Sequence, residues 1–173
     1  SSATLAAVLV MRERALAWRG KASGLSGEAP VRIYASTETH SSIERAIWIA
    51  GIGGDNLVRI PATGPRRAMD VAALREAIAA DRAAGALPAG VVACTGATGV
   101  GASDDVAAVV EVARAEDLYV HLDAAWAGAA MIAPEFRALW AGVEGVDSLV
   151  LNPHKWLGAQ FDCSAHFLRD PDP

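Results

Sequence analysis

The sequence predicts an α/β domain with a mostly parallel sheet and helices on both faces. Three observations carry this. Strand-like and helix-like stretches alternate along all 173 residues, the pattern left by βαβ crossovers. Hydrophobic residues make up 53% of the chain and charged ones 20%, enough for one domain with a sizeable core. Polar, chemically capable side chains also recur just past the strands, where sheets of this kind bind their ligands.

The elements follow in order. Leu5, Leu9 and Leu16 recur at near-helical spacing and predict a helix over 3–18 that Gly20 stops. Val31 to Ala35 reads as a strand. Ser41-Ser42-Ile43-Glu44 has capping-box spacing and opens a helix to about Ala50. Leu57 to Ile60 is strand-like and ends at Pro61. Asp70 is an N-cap candidate for a helix with Val71, Leu74 and Ile78 on one face, running to Gly85. Val91 to Thr95 is a strand, Asp104 or Asp105 starts a helix to about Ala115, and Tyr119 to Leu122 is a strand. Pro134 to Trp140 is a short helix, Leu149 to Leu151 a strand, and Cys163 to Leu168 an antiparallel or edge strand. No repeat interrupts this order, so residues 1–173 read as a single domain.

A net charge of −5 and a pI near 5.3 argue against nucleic acid and anionic membrane surfaces as partners. No stretch reaches the ~18 to 20 apolar residues of a transmembrane helix, and Ser-Ser-Ala-Thr-Leu has no basic start of a signal peptide. Cys94 and Cys163 stand far apart in apolar surroundings, which favours two buried free thiols in a reducing, cytoplasmic setting over a disulfide between them. Their spacing to the histidines forms no metal site. The start without methionine and the close at Asp170-Pro171-Asp172-Pro173 read as the ends of a piece of a longer protein, incomplete by itself.

Basic residues number fifteen, yet only Lys21 and Lys155 are lysines. Lys155 lies in Leu-Val-Leu-Asn-Pro-His-Lys-Trp, residues 149–156, just past an apolar strand. An amine, unlike a guanidinium, can lose its proton and attack a carbonyl. Other strand ends carry His40, Thr98, Asp123 and Asn152. A lysine and a carboxylate so placed match what pyridoxal phosphate requires: an amine to hold the aldehyde as an imine, and a carboxylate to keep the pyridine nitrogen protonated. Ser1 and Ser2 before the first helix suit the phosphate, and His40 suits stacking on the ring. Taken singly, each has a plainer reading. Asp123 and Ser1 would be helix caps, His40 a helper of the Ser41 cap, and Lys155 a turn lysine. Their convergence on one sheet edge favours a site.

His40-Ser41-Ser42-Ile43-Glu44-Arg45-Ala46, His121-Leu122-Asp123-Ala124-Ala125-Trp126-Ala127-Gly128, Ala133-Pro134-Glu135-Phe136-Arg137, and Asn152-Pro153-His154-Lys155-Trp156 with Phe161-Asp162-Cys163-Ser164 resemble the group II pyridoxal-phosphate decarboxylases, most nearly the aromatic-L-amino-acid branch. The resemblance implies the core of a fold-type I large domain, lacking an N-terminal segment, a mobile catalytic loop and a C-terminal domain. It implies Lys155 as the imine lysine, Asp123 on the pyridine nitrogen, and His40 and Ala125 on the two faces of the ring. Ser1 and Thr98 become cofactor-binding positions, with Asn152 and His154 near the phosphate. The reaction implied is loss of carbon dioxide from an amino acid to leave an amine, in a homodimer; the isolated piece is expected to be inactive. Glutamate or histidine as substrate, an aldehyde-forming variant, and a non-catalytic fragment that at best binds cofactor are the alternatives. Trp126 in place of a common tyrosine, Ala97 in place of a threonine and Ser2 in place of an acidic residue depart from the family's usual pattern.

Overall fold

In the computed structural model, which describes residues 2–171, six strands form one sheet: β1 (Val31–Ser36), β2 (Leu57–Ile60), β5 (Leu87–Cys94), β6 (Tyr119–Asp123), β7 (Ser148–Leu151) and β8 (Ala165–Leu168). Their order is β2-β1-β5-β6-β7-β8. Every pairing is parallel except β7 with β8 at the edge. A two-stranded hairpin, β3 (Ala62–Thr63) with β4 (Ala68–Met69), was not anticipated; its strands are too short to show periodicity.

Both faces of the sheet are covered, which the alternation of side chains along a strand explains. In β5, Val92 joins α1 (Ser2–Ala15) and α3 (Ser42–Ile49) in one cluster with Met11, Leu16, Ile33, Ile43 and Ile47. Its neighbours Val91 and Ala93 face the other way, toward α4 (Val71–Ala83) and α5 (Val106–Ala115), among Leu74, Ile78, Val109, Val112 and Leu122. Each such buried side chain is worth about 1.5–3 kcal/mol of burial. Gly90 lets α1 ride close to β5: a Cβ there would lie 2.6 Å from Met11 Cγ and 2.8 Å from the Tyr119 carbonyl oxygen.

Several boundaries differ from the expectation. The first helix stops at Ala15, not 18, because Ala17 and Trp18 take left-handed φ of 48° and 63°, and the Trp18 N–H bonds back to the Glu13 carbonyl at 2.8 Å. Gly20 does not end a helix; it opens the one-turn α2 (Gly20–Ser23), lying where a Cβ would sit 2.4 Å from the buried Glu13 carboxylate. That carboxylate also accepts the Lys21 N–H at 2.9 Å. Strand β5 begins four residues before Val91, passing through Pro88; a register shift opposite Arg32 and Ile33 accommodates the proline. Thr95 falls outside it, bridging to Ser103 instead. Asp105 caps α5 through the Ala108 N–H at 3.1 Å, while Asp104 turns inward. Pro134–Trp140 is a 3-10 helix.

Candidate functional site

A cavity of about 270 Å³ opens at the carboxyl edge of the sheet, and its walls include Lys155, Asp123, His40, Thr98, Ala125, Asn152 and His154. These seven residues, chosen from sequence, come together from the ends of β1, β5, β6 and β7. Ser1 lies outside the described residues; Ser2 and Thr4 of α1 bring the start of that helix to the same cavity.

Backbone hydrogen bonds lace the strand ends into a continuous rim. The Thr95 N–H donates to the Asp123 carbonyl at 3.1 Å, Ala124 N–H to Val150 at 3.0 Å, and Asn152 N–H to Ala125 at 3.2 Å. The Asn152 carbonyl then accepts from the Lys155 N–H at 3.0 Å, within the one-turn α6 (Pro153–Trp156) that Pro153 opens. Asp123 is half-buried, and its Oδ1 accepts the Ala125 N–H at 3.1 Å. Lys155 is exposed at the mouth. Beside it, Trp126 and Trp156 meet edge to face with ring centres 4.9 Å apart.

The segment ahead of β8, residues 161–164, closes back on this rim. His154 Nδ1 lies 2.7 Å from the Cys163 carbonyl and 3.3 Å from Asp162 Oδ1, and the Ser164 hydroxyl donates to Asn152 Oδ1 at 2.7 Å. Phe161, Asp162 and Ser164 also line the cavity.

The capping box expected at Ser41 does not form. Ser41 is helical in φ and ψ with no side-chain cap bond, its hydroxyl accepts from Arg45 at 3.2 Å, and Glu44 pairs with Arg59. The cap comes from His40: the Ser42 N–H donates to its Nδ1 at 3.1 Å, and Ser42 Oγ lies 3.0 Å from the same nitrogen. An imidazole ahead of a helix offers an acceptor as a serine does, at a spacing that a search for Ser or Asp caps passes over.

Three titratable groups near the site, Asp104, Cys94 and His121, carry no functional expectation from sequence. Asp104 is buried and its two oxygens accept the Met69 and Cys94 N–H groups, each at 2.7 Å, which staples the loop after β5. Burial nevertheless pushes its carboxyl above the usual range. Burial also pushes up the thiol of Cys94 on the cavity wall, and Asp104 adds to this. Deeper, burial holds the His121 imidazole down at about 3, with Nδ1 2.7 Å from Ser148 Oγ.

Residues 1–172 match the family model described as the pyridoxal-dependent decarboxylase conserved domain. The chain belongs to this decarboxylase family. Among curated members of the family, it is 44% identical to the aromatic-L-amino-acid decarboxylase of Sus scrofa, over 98% of this chain and 35% of that protein. It is 41% identical to tryptophan decarboxylase 1 of Oryza sativa subsp. japonica, over 98% of this chain and 33% of that protein. The chain thus spans about a third of the length of the curated relatives it matches. Solved structures of similar fold include mouse CSAD, at a TM-score of 0.92 and 32% identity over 98% of this chain and 35% of that one. Oryza sativa TDC with PLP and tryptamine superposes at 0.90, with 41% identity over 97% of this chain and 34% of that one. The fold-type I core expected from the resemblance is borne out by these superpositions.

Proposed function

We propose that the chain is the cofactor-holding core of a longer enzyme that releases carbon dioxide from an aromatic L-amino acid, leaving its amine, with pyridoxal 5'-phosphate as cofactor. The observation that carries this is the meeting of Lys155 and Asp123, from adjacent strand ends, in one cavity with His40.

The donor set fits the cofactor group by group. An amine faces the cavity for the aldehyde, a carboxylate for the pyridine nitrogen, and the N-terminus of α1 with Ser2 and Thr98 for the phosphate. Lys155 would hold the aldehyde and Asp123 the ring nitrogen, with His40 and Ala125 on the ring faces. Ser1, Asn152 and His154 would assist around the phosphate. When bound, the group supplies an electron sink for the bond to the departing carboxylate.

The chain's own residues supply the rest. Asp123 accepts the Ala125 N–H at Oδ1, and its carboxylate would hold the ring nitrogen. That amide bond fixes the direction of the carboxylate before any ligand arrives. Asn152 holds the first turn of α6 through the Lys155 N–H, so the lysine stem leaves from a fixed point. The two indoles brace that turn against the loop after Asp123.

A homodimer would cover Trp48 and Ile49, which stand 74% and 64% exposed on α3. A cytoplasmic location is supported by Cys94 and Cys163, both free thiols.

The test is borohydride reduction of the full-length protein loaded with cofactor, followed by peptide mass spectrometry. The adduct is expected on Lys155 and absent in Lys155→Ala. Lys155→Arg is not expected to restore it, since a guanidinium stays protonated. An adduct on Lys21, or none in active protein, overturns the assignment.

A further inference from the structure

We propose that Ser42 is a positioning residue whose backbone N–H fixes His40 as the Nε2–H tautomer, so that the ring meets the cavity as a hydrogen-bond donor of one fixed direction. The inference deepens the function proposed above and rests on it only for the identity of the ligand that His40 faces.

The first amides of a helix such as α3 lack partners within it and need an acceptor from outside. Ser41, one residue ahead, provides none through its side chain. The acceptor is His40 Nδ1, 3.1 Å from the Ser42 nitrogen. A backbone N–H only donates, so the bond exists only if Nδ1 presents its lone pair. A neutral imidazole with a bare Nδ1 carries its proton on Nε2.

The Ser42 hydroxyl does not alter this. Its oxygen lies 3.0 Å from Nδ1, but a hydroxyl rotates and either donates or accepts. Of the two Ser42 groups, the amide has no choice, and therefore it decides. A proton on Nδ1 would set two N–H groups head to head and leave the α3 amide unpaired.

The same bond fixes the ring's orientation. Flipping the imidazole about χ2 would point carbon at the Ser42 amide and forfeit the cap. The anchor is firm, because Ile43, Ala46 and Ile47 bury the next turn of α3 in the core under β1 and β5. His40 lines the cavity and spends Nδ1 on the helix. Nε2 is the nitrogen left free of the helix, and in this tautomer it carries the proton. The pair His40 and Ser42 thus links a helix cap to the polarity of one cavity wall.

Solid-state nitrogen-15 spectra of the full-length protein, with ring-labelled histidine, read the tautomer directly. His40→Asn assigns the signals by subtraction, since the asparagine oxygen still accepts the Ser42 N–H and preserves the helix start. His40→Gln serves as a second subtraction should the first variant fold poorly. One bare Nδ1 and one protonated Nε2 are expected to vanish together. Ser42→Ala is expected to leave that pair unchanged, because the amide remains. A proton on Nδ1 in the parent, or signals averaged between tautomers, overturns the proposal. So does a change of tautomer in Ser42→Ala, which would move control to the hydroxyl. These spectra do not depend on a Lys155 adduct, so failure of the cofactor assignment and failure of the tautomer assignment are told apart.

Discussion

Replacing Asp123 by asparagine separates the charge of this side chain from its structural bond. The carboxylate Oδ1 accepts the Ala125 N–H at 3.1 Å, and an asparagine amide oxygen accepts the same N–H in the same place. Asp123 is half-buried at the end of β6, so the exchange adds no buried unpaired charge. Stability is expected to stay within about 0.5 kcal/mol of the parent, as for changes that keep their bonds. The chemistry differs. An amide carries no charge to stabilise a protonated ring nitrogen, and loss of one such preorganised interaction costs roughly 3–4 kcal/mol, about a hundred- to a thousandfold in rate. The assay is single-turnover carbon dioxide release from an aromatic amino acid by the full-length protein, beside absorbance to follow retained cofactor. Asp123→Asn should keep its circular dichroism and part of its cofactor while losing that rate. Unchanged turnover would remove Asp123 from the mechanism; loss of the fold would show that the Ala125 bond had been misjudged.

Two more predictions concern the scaffold. Gly90→Ala sets a methyl 2.6 Å from Met11 Cγ and 2.8 Å from the Tyr119 carbonyl; the methionine can turn aside but the β6 backbone cannot, so a loss of about 1–3 kcal/mol is expected in denaturant titration, and a neutral result refutes the close approach of α1. Acid should weaken the fold through His121, whose imidazole is held at about 3 against an ordinary 6.5. Between those values the unfolded chain takes up a proton that the folded chain refuses. Stability therefore falls as pH drops from about 6.5 toward 3, by roughly 2 kcal/mol at pH 5. His166, also lowered by burial, acts with the same sign, and Asp104, raised by burial, with the opposite one. His121→Asn should flatten the dependence of stability on pH in that window; an unchanged slope there would refute the role given to His121.

The sheet was legible because period-two burial and βαβ alternation leave wide signals: Val91, Val92 and Ala93 face alternate sides of the sheet. The site was legible because strand ends collect ligating groups: that rule pointed to His40, Thr98, Asp123, Asn152 and Lys155, the family resemblance added Ala125 and His154, and all seven line one cavity. What escaped depended on partners distant in sequence. Pro88 reads as a breaker until the irregular register with β1 is known. Asp104 and Asp105 are equivalent as caps in sequence, yet Asp104 is drawn inward by two amides thirty-five and ten residues away. Ser41 and Glu44 have capping-box spacing, but Arg59 from β2 takes the glutamate and His40 takes the amide.

Three of the four loops at the site, those after β5, β6 and β7, carry Thr98, Asp123 and Lys155, and small residues are what allow them to meet. Gly128 donates its N–H to the Ala124 carbonyl at 2.7 Å, and a Cβ there would lie 2.6 Å from Leu151 Cβ at the end of β7. Gly96, after β5, has φ of +72° and lies so near the same loop that a Cβ would be 2.3 Å from Ala127 Cβ. Side chains at either glycine would wedge β5 and β7 away from β6. The rim bonds from Thr95 to Asp123 and from Asn152 to Ala125 are the first that such a wedge would break, and through Asn152 the Lys155 turn would move with them. The run Asp123-Ala124-Ala125-Trp126-Ala127-Gly128 therefore places one carboxylate and one indole on a backbone otherwise kept small. The distance between Asp123 and Lys155 is set less by contacts of their own side chains than by how closely these three loops can approach.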